Sequence, residues 1–202
     1  MEILTTEEIK QKTENFLSKY SKELECKMYG FEEIVHREGE RSRKIYIVKN
    51  GVFRIGRVNA PIPDITLGFC FKSSFIPSIA SIIPDFPSLL QIKSISNNIA
   101  NCNSLYEIGI EQWEYFTEKD KTLENFHASV LYDNFANLIN ITIYKRQNRK
   151  TEKLFSEMYD AKSPILNSGI EEKYLAAFFG VTIDSLRRMF TNRILTLNKK
   201  GS

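Results

Sequence analysis

Asp184, Ser185, Arg187 and Arg188 fall within five residues of one another. An arginine guanidinium can donate two parallel hydrogen bonds to guanine O6 and N7, and an aspartate can accept one from cytosine N4. The types and spacing therefore suit the reading of base edges. Other chemistries lack their residues. The chain has two histidines, His36 and His127, and they lie on different elements. A metal site of the barrel-enzyme kind needs several imidazoles and a carboxylate converging. No Gly-rich phosphate loop, Ser nucleophile elbow or metal-spaced Cys/His pair occurs. No enzymatic activity, catalytic residue, metal site or resident cofactor is expected.

The elements that must position these side chains lie around them. Residues 175–190 read as a helix, a tight turn and a second helix. Ala176 supplies a small side chain four residues before Gly180, where two helices cross closely. Gly180 stands where the first helix must stop and a positive φ is easiest to supply. Val181 fills the space under the turn. Thr182 is a good N-cap for the second helix, with Asp184 in its first turn. Leu186, Met189 and Phe190 point to one side. Ser168-x-x-Glu171 has the form of a capping box that opens the first helix. This is the pattern of a helix-turn-helix whose second helix enters the DNA major groove.

The charge distribution agrees. The net charge is +3, yet residues 141–202 carry 12 Lys/Arg against 6 Asp/Glu, leaving 16 bases and 19 acids for residues 1–140. A basic C-terminal third on a mildly acidic body suits a phosphate-bearing partner. Hydrophobic content of 42% and charged content of 26% are ordinary for a folded chain. No apolar run reaches the roughly 18–20 residues that cross a bilayer, and the N-terminus lacks a signal-peptide pattern. Cys26, Cys70 and Cys102 are odd in number and far apart, which argues against a disulfide framework. They read as core residues of a cytoplasmic protein.

Upstream, residues 4–24 read as a helix capped by Thr6, with Ile9, Phe16 and Tyr20 on one face. Residues 31–110 hold short β-branched and aromatic runs at 45–48, 52–55, 65–69, 90–95 and 104–110. Asn50-Gly51 divides the first two runs and signals a two-residue hairpin. Residues 72–89, rich in Ser, Pro and Ile, read as a short helix and loop between strands. From Lys121 to Lys150 the apolar period becomes helical with no Gly or Pro. A helix of about 30 residues would extend roughly 45 Å, more than one small β domain covers, so a second subunit is expected on it. Asn134, Asn137 and Asn140 either fix register there or face water. A shorter helix follows near Thr151–Met158, then a loop over Ala161–Gly169.

In this order the chain resembles the Crp/Fnr superfamily of bacterial transcription regulators, the catabolite activator protein among them. Two segments carry the likeness. One is Ile34-Val35-His36-Arg37-Glu38-Gly39-Glu40 with Tyr46 to Val52, similar to the family's strand, Gly-Glu, turn and Tyr-x-x-x-x-Gly signature. The other is the helix-turn-helix, whose run from Lys173 to Thr182 resembles Bacteroidetes-type members. The resemblance implies an α+β fold: an antiparallel β-roll (a double-stranded β-helix of the cyclic-nucleotide-binding kind) with an N-terminal helix over 1–118, a dimerisation helix over 119–150, and a helix-turn-helix, winged-helix-like domain over 151–202. With only nine residues after Arg193, a full wing is not expected. The implied partners are double-stranded DNA, a second copy through 121–150, and RNA polymerase, with no membrane.

The resemblance also assigns residues. Asp184 and Arg188 become the leading base contacts, followed by Arg187 and Ser185. Thr182 and Lys173 become phosphate contacts. Ile183 stands where several relatives carry Arg. Arg187 has a second reading as a solvent-exposed salt-bridge partner. Members that bind cyclic AMP carry Glu and Arg in a phosphate-binding segment, whereas Lys72–Ser88 contains neither. Tight cyclic AMP binding is therefore not expected. Ser73, Ser74, Ser78 and Ser81 remain as a candidate pocket for another small molecule. The closely spaced cysteines of iron–sulfur sensors are missing, and His127 reads as structural rather than as a haem ligand. The function expected is sequence-specific transcription regulation. The alternative is a β-roll sensing or protein-interaction module that has lost specific DNA binding.

Overall fold

The computed structural model describes residues 4–58, 65–76, 87–97, 102–145 and 148–200, and describes side chains for these apart from 134–150 and 194–200. Helix α1 (Thr6–Tyr20) and a 3-10 turn (Ser21–Glu23) lead into strands β1 (Glu25–Tyr29), β2 (Ile34–His36), β3 (Lys44–Asn50), β4 (Phe53–Arg57), β5 (Ile65–Cys70), β6 (Phe75–Ile76), β7 (Gln91–Ser94) and β8 (Asn103–Gly109). Helices α2 (Ile110–Lys119), α3 (Thr122–Lys145), α4 (Asn148–Asp160), α5 (Pro164–Asn167), α6 (Glu172–Phe179) and α7 (Ile183–Lys200) follow. The fold is α+β, an antiparallel β-roll succeeded by helices. Its sheets run β1-β8-β3-β6 and β2-β7-β4-β5.

The expected strands are present, but the Asn50-Gly51 hairpin is not. β3 pairs with β6 and β8, and β4 pairs with β5 and β7, so the chain changes sheets at this corner. Gly51 has φ of 87°, and a Cβ there would collide with Asn103 Oδ1. Asn103 uses that space to accept from the Val52 N–H at 3.4 Å and to donate to the Ser96 carbonyl at 2.9 Å.

Alternation along the strands divides the apolar residues into three layers. Tyr29, Tyr46, Val48, Phe53, Cys70, Ile76, Ile92 and Leu105 pack between the sheets. Ile45, Ile47, Phe75 and Ile108 face outward under α1, α2 and α3, meeting Phe16, Tyr20, Trp113, Phe116, Leu123, Phe126 and Val130. Val52, Ile95, Phe69 and Phe71 face the C-terminal helices. Of the cysteines, only Cys70 is in the core; Cys26 and Cys102 are exposed, on the sheet edge and in the approach to β8, and all three are free thiols.

Several helix boundaries differ from expectation. Thr5, not Thr6, caps α1. Its Oγ1 accepts from the Glu8 N–H at 3.3 Å, and Glu8 Oε2 accepts from the Thr5 N–H at 2.8 Å, the reciprocal capping box. Thr6 instead donates to Asp133 on α3 at 3.0 Å. Helix α2 was not foreseen; it follows β8 directly, and its Ile110, Trp113 and Phe116 are buried. The helix expected over 121–150 ends at Lys145, and α4 already begins at Asn148. Leu123, Phe126 and Val130 are covered by this chain's own helices. The side chains of 134–150, Asn134, Asn137 and Asn140 among them, lie outside the described residues. The helix expected after residue 72 is replaced at Phe75–Ile76 by strand β6. No helix among the described residues is long and apolar enough to cross a membrane.

Both histidines are held below their ordinary pKa by burial, which for His36 outweighs the Glu40 carboxylate 3.7 Å from Nδ1. Their Nε2 atoms are buried without a hydrogen-bond partner. The unfolded chain therefore takes up protons at these groups before the folded one does. Stability is expected to be complete above about pH 6.5 and to fall as the pH drops below it. Thermal melts at pH 7.5, 6.5 and 5.5 check this, and an unchanged Tm across that series counts against it.

Candidate nucleic-acid interface

The helix-turn-helix is formed by α6, Gly180 to Thr182, and α7. Its opening differs from the capping box read in the sequence. Ser168 ends α5, donating to the Ile165 carbonyl at 3.5 Å, and Gly169 turns the chain with φ of 70°. Glu171 then becomes the N-cap of α6, without a side-chain cap. Within α6, Leu175, Ala176, Phe178 and Phe179 are buried. Gly180 takes the left-handed conformation, φ 67° and ψ 34°, and its N–H donates to the Ala176 carbonyl. The Val181 N–H joins it at 3.0 Å. Thr182 caps α7, its Oγ1 accepting from the Ser185 N–H at 3.1 Å. Leu186 is fully buried, while Met189 and Phe190 pack beside Phe155 and Tyr159. Arg193 pairs with Asp160 and fastens α7 to α4. Among the described residues no strand follows β8, so α7 runs on to Lys200 where a wing would stand.

The opposite side of α7 faces solvent, and its polar residues are not equivalent. Arg187 donates from Nε and Nη2 to Glu172 Oε2 at 3.0 and 2.7 Å, with Nη1 3.8 Å from Asp184. Each partner favours the other's charged form: Glu172 is lowered by Arg187, and Arg187 is raised by Glu172. Arg187 thus links α7 to α6. Arg188 donates to Ser185 Oγ at 3.2 Å and meets no carboxylate among the described residues. The Asp184 side chain is 91% exposed. Ser185 Oγ also lies 3.0 Å from Thr182 Oγ1, so this hydroxyl is shared between the cap and Arg188. Ile183 is 38% exposed at the start of the same face.

Lys173 is placed differently from a waiting phosphate contact. Its Nζ donates to Glu32 Oε1 at 2.7 Å and lies 2.9 Å from Glu171 Oε2. The Tyr174 hydroxyl and Lys93 also donate to Glu32. These donors, Lys173 first, hold the Glu32 carboxyl down at about 2. Glu32, Lys93 and Tyr174 had no signal in the sequence, because the pairing spans about 140 positions and follows no local spacing. Arg54 was likewise missed: it is 2% exposed, donates to Thr66 Oγ1 at 2.7 Å, and lies 5.5 Å from the Tyr174 ring.

The candidate serine pocket is not assembled at its first two members. Ser73 has φ of 66° and donates its N–H to the Val48 carbonyl at 2.8 Å; Ser74 Oγ accepts from the Phe71 N–H at 3.0 Å. Both serve the turn between β5 and β6. Ser78 and Ser81 lie outside the described residues.

No family model and no curated protein matches the sequence. Solved structures do. The chain is similar to the c-di-GMP-responsive global regulator CLP of Xanthomonas campestris, at 14% identity and TM-score 0.68, covering 93% of each chain. It is similar to FixK2 of Bradyrhizobium japonicum, at 13% identity and TM-score 0.64, covering 88% of this chain and 86% of that one. A candidate transcriptional regulator of the Crp/Fnr family from Eubacterium rectale gives 15% identity and TM-score 0.62 over 96% and 85%. At these identities the likeness establishes a shared fold along nearly the whole chain.

Proposed function

We propose that the chain is a sequence-specific, DNA-binding transcription regulator of the Crp/Fnr type that does not answer to cyclic AMP. The observation carrying this reading is the exposed pair Asp184 and Arg188 on the second helix of a fully formed helix-turn-helix, within a fold shared with such regulators. Arg188 is the leading base contact because its guanidinium meets no carboxylate among the described residues. Arg187 is demoted to a contact that orients α7. Two copies, paired through the long helix over 121–150, would set their α7 helices in successive major grooves one turn apart. Residues 1–118 act as the effector-type domain and 151–202 as the reading domain. The missing Glu and Arg in Lys72–Ser88 argue against cyclic AMP, because a buried phosphate deprived of its Arg partner costs several kcal/mol.

Selection from random duplex DNA tests the reading and supplies the target. An enriched motif with two half-sites is expected. No enrichment at moderate salt would favour the alternative, a sensing or interaction module. On the selected duplex, Arg188→Ala is expected to weaken binding by about 1–3 kcal/mol and relax one base position. Unchanged discrimination from random DNA would remove Arg188 from the base-reading set. Sedimentation checks the dimer, and a monomer at micromolar concentration counts against it.

A further inference from the structure

Glu32 stands in the turn between β1 and β2 with φ of 63°, its N–H donated to the Ser94 carbonyl at 3.0 Å. A residue with a side chain is uncommon in that conformation. Here it directs the carboxylate across the boundary between the roll and the C-terminal helices. The two oxygens serve different sides. Oε2 accepts from Lys93, which belongs to the roll, whereas Oε1 accepts from Lys173 and from the Tyr174 hydroxyl, both in the first turn of α6. Beneath this junction the Phe69 and Phe178 ring centres lie 5.4 Å apart, and Val52 and Ile95 are buried among residues of the C-terminal helices. One carboxylate therefore closes an apolar seam between the two parts.

Lysine ammonium and tyrosine hydroxyl groups are the donors that proteins present to DNA phosphates. At α6 these donors are already satisfied by an anion of the chain itself. We infer that Glu32 acts as an intramolecular stand-in for a DNA phosphate: it holds α6 against the roll and withdraws Lys173 and Tyr174 from DNA, so tight binding requires this contact to open. The inference rests on the DNA-binding reading above. Lys93 stays beside Glu32 when α6 leaves, so the roll keeps a neutralising partner, and opening exchanges one anion for another at Lys173. Any effector that favours separation of α6 from the sheet would promote DNA binding, and only to the extent that it prefers the open form.

The test uses the whole chain as wild type, Glu32→Gln, Lys173→Gln and the double variant. Because phosphate contacts are blind to sequence, the probe is a labelled random-sequence duplex of about 40 base pairs, titrated at several salt concentrations. Glu32→Gln is expected to bind about three- to tenfold more tightly, by relieving the closed state. Its log K against log salt should be steeper by about 0.9, one additional phosphate contact. Lys173→Gln should bind more weakly, and the double variant no more tightly than Lys173→Gln. Amide hydrogen exchange over residues 172–179, read without DNA, should quicken in Glu32→Gln while Tm stays near that of the wild type. Binding by the wild type with no gain, or a loss, in Glu32→Gln overturns the inference alone, as does unchanged exchange in α6. No binding by any form at low salt overturns the DNA-binding reading, and this inference with it.

Discussion

Leu186→Ala is expected to melt the C-terminal helices and abolish DNA binding while the β-roll stays folded. Leu186 is fully buried in the cluster that joins α4, α6 and α7, with Phe155, Leu175 and Phe179. The backbone around it is tightly defined: its N–H donates to the Thr182 carbonyl at 2.9 Å, one turn after the cap. Removing the isobutyl group costs about 2–5 kcal/mol, by lost transfer energy and by the cavity left behind. A unit of roughly 50 residues buries too little surface to absorb that loss. Two probes separate the parts. Far-ultraviolet circular dichroism follows the helices, and fluorescence of Trp113, the one tryptophan in the chain, follows the roll, where it is buried against Phe16 and Phe75. The helical transition should move far below the Trp113 transition. Ile183→Ala, on the exposed face of the same helix, should stay within about 0.5 kcal/mol of the wild type. Equal small shifts for the two variants would mean that Leu186 is not the keystone of the motif.

What the sequence made legible was local. Ala176, Gly180, Thr182 and Leu186 each obey a rule that acts within five residues, so the helix-turn-helix could be read directly, and the turn glycine has the φ of 67° that its position demands. The strands were legible as segments because β-branched and aromatic residues mark them. Their partners were not. Asn50-Gly51 satisfies hairpin chemistry, yet the decisive interaction comes from Asn103, some fifty residues away. Helix α2 escaped notice because it begins at Gly109, which carries no side-chain cap, directly after a strand. The Ser168-x-x-Glu171 pattern misled because the helix starts one residue too late for Glu171 to reach back.

The candidate site divides along the same line. Asp184 and Arg188 were legible as an exposed polar pair. The unequal standing of Arg187 and Arg188 was not, because Glu172 lies on the preceding helix and selects one guanidinium. The Glu32 junction was invisible for the same reason on a larger scale: no periodicity links residue 32 to residues 173 and 174. Charge counting identified a basic C-terminal third. It could not say which of those bases are already spent on carboxylates, and that division decides which remain for DNA.

Phe126→Ala is the second large effect, and it falls on the other half of the molecule. Phe126 is fully buried at the start of α3, with its ring centre 5.1 Å from that of Phe75 and 6.4 Å from that of Trp113. Phe75 lies on β6 and Trp113 on α2, so this ring pins the long helix to both the sheet and the preceding helix. Truncation is expected to cost about 3–5 kcal/mol, part of it from edge-on ring contacts that an aliphatic replacement cannot reproduce. Urea unfolding followed by Trp113 emission should give a much lower midpoint with an unchanged slope, since the surface exposed on unfolding barely changes. Tyr132→Ala, two turns further along α3 at 55% exposure, should leave the midpoint near that of the wild type. The consequence should also reach assembly. If α3 carries the subunit contact, a helix released from its own roll presents that contact without a fixed direction. Phe126→Ala should then dissociate at lower urea than it unfolds, whereas Tyr132→Ala keeps the two transitions together unless Tyr132 itself lies in the subunit contact.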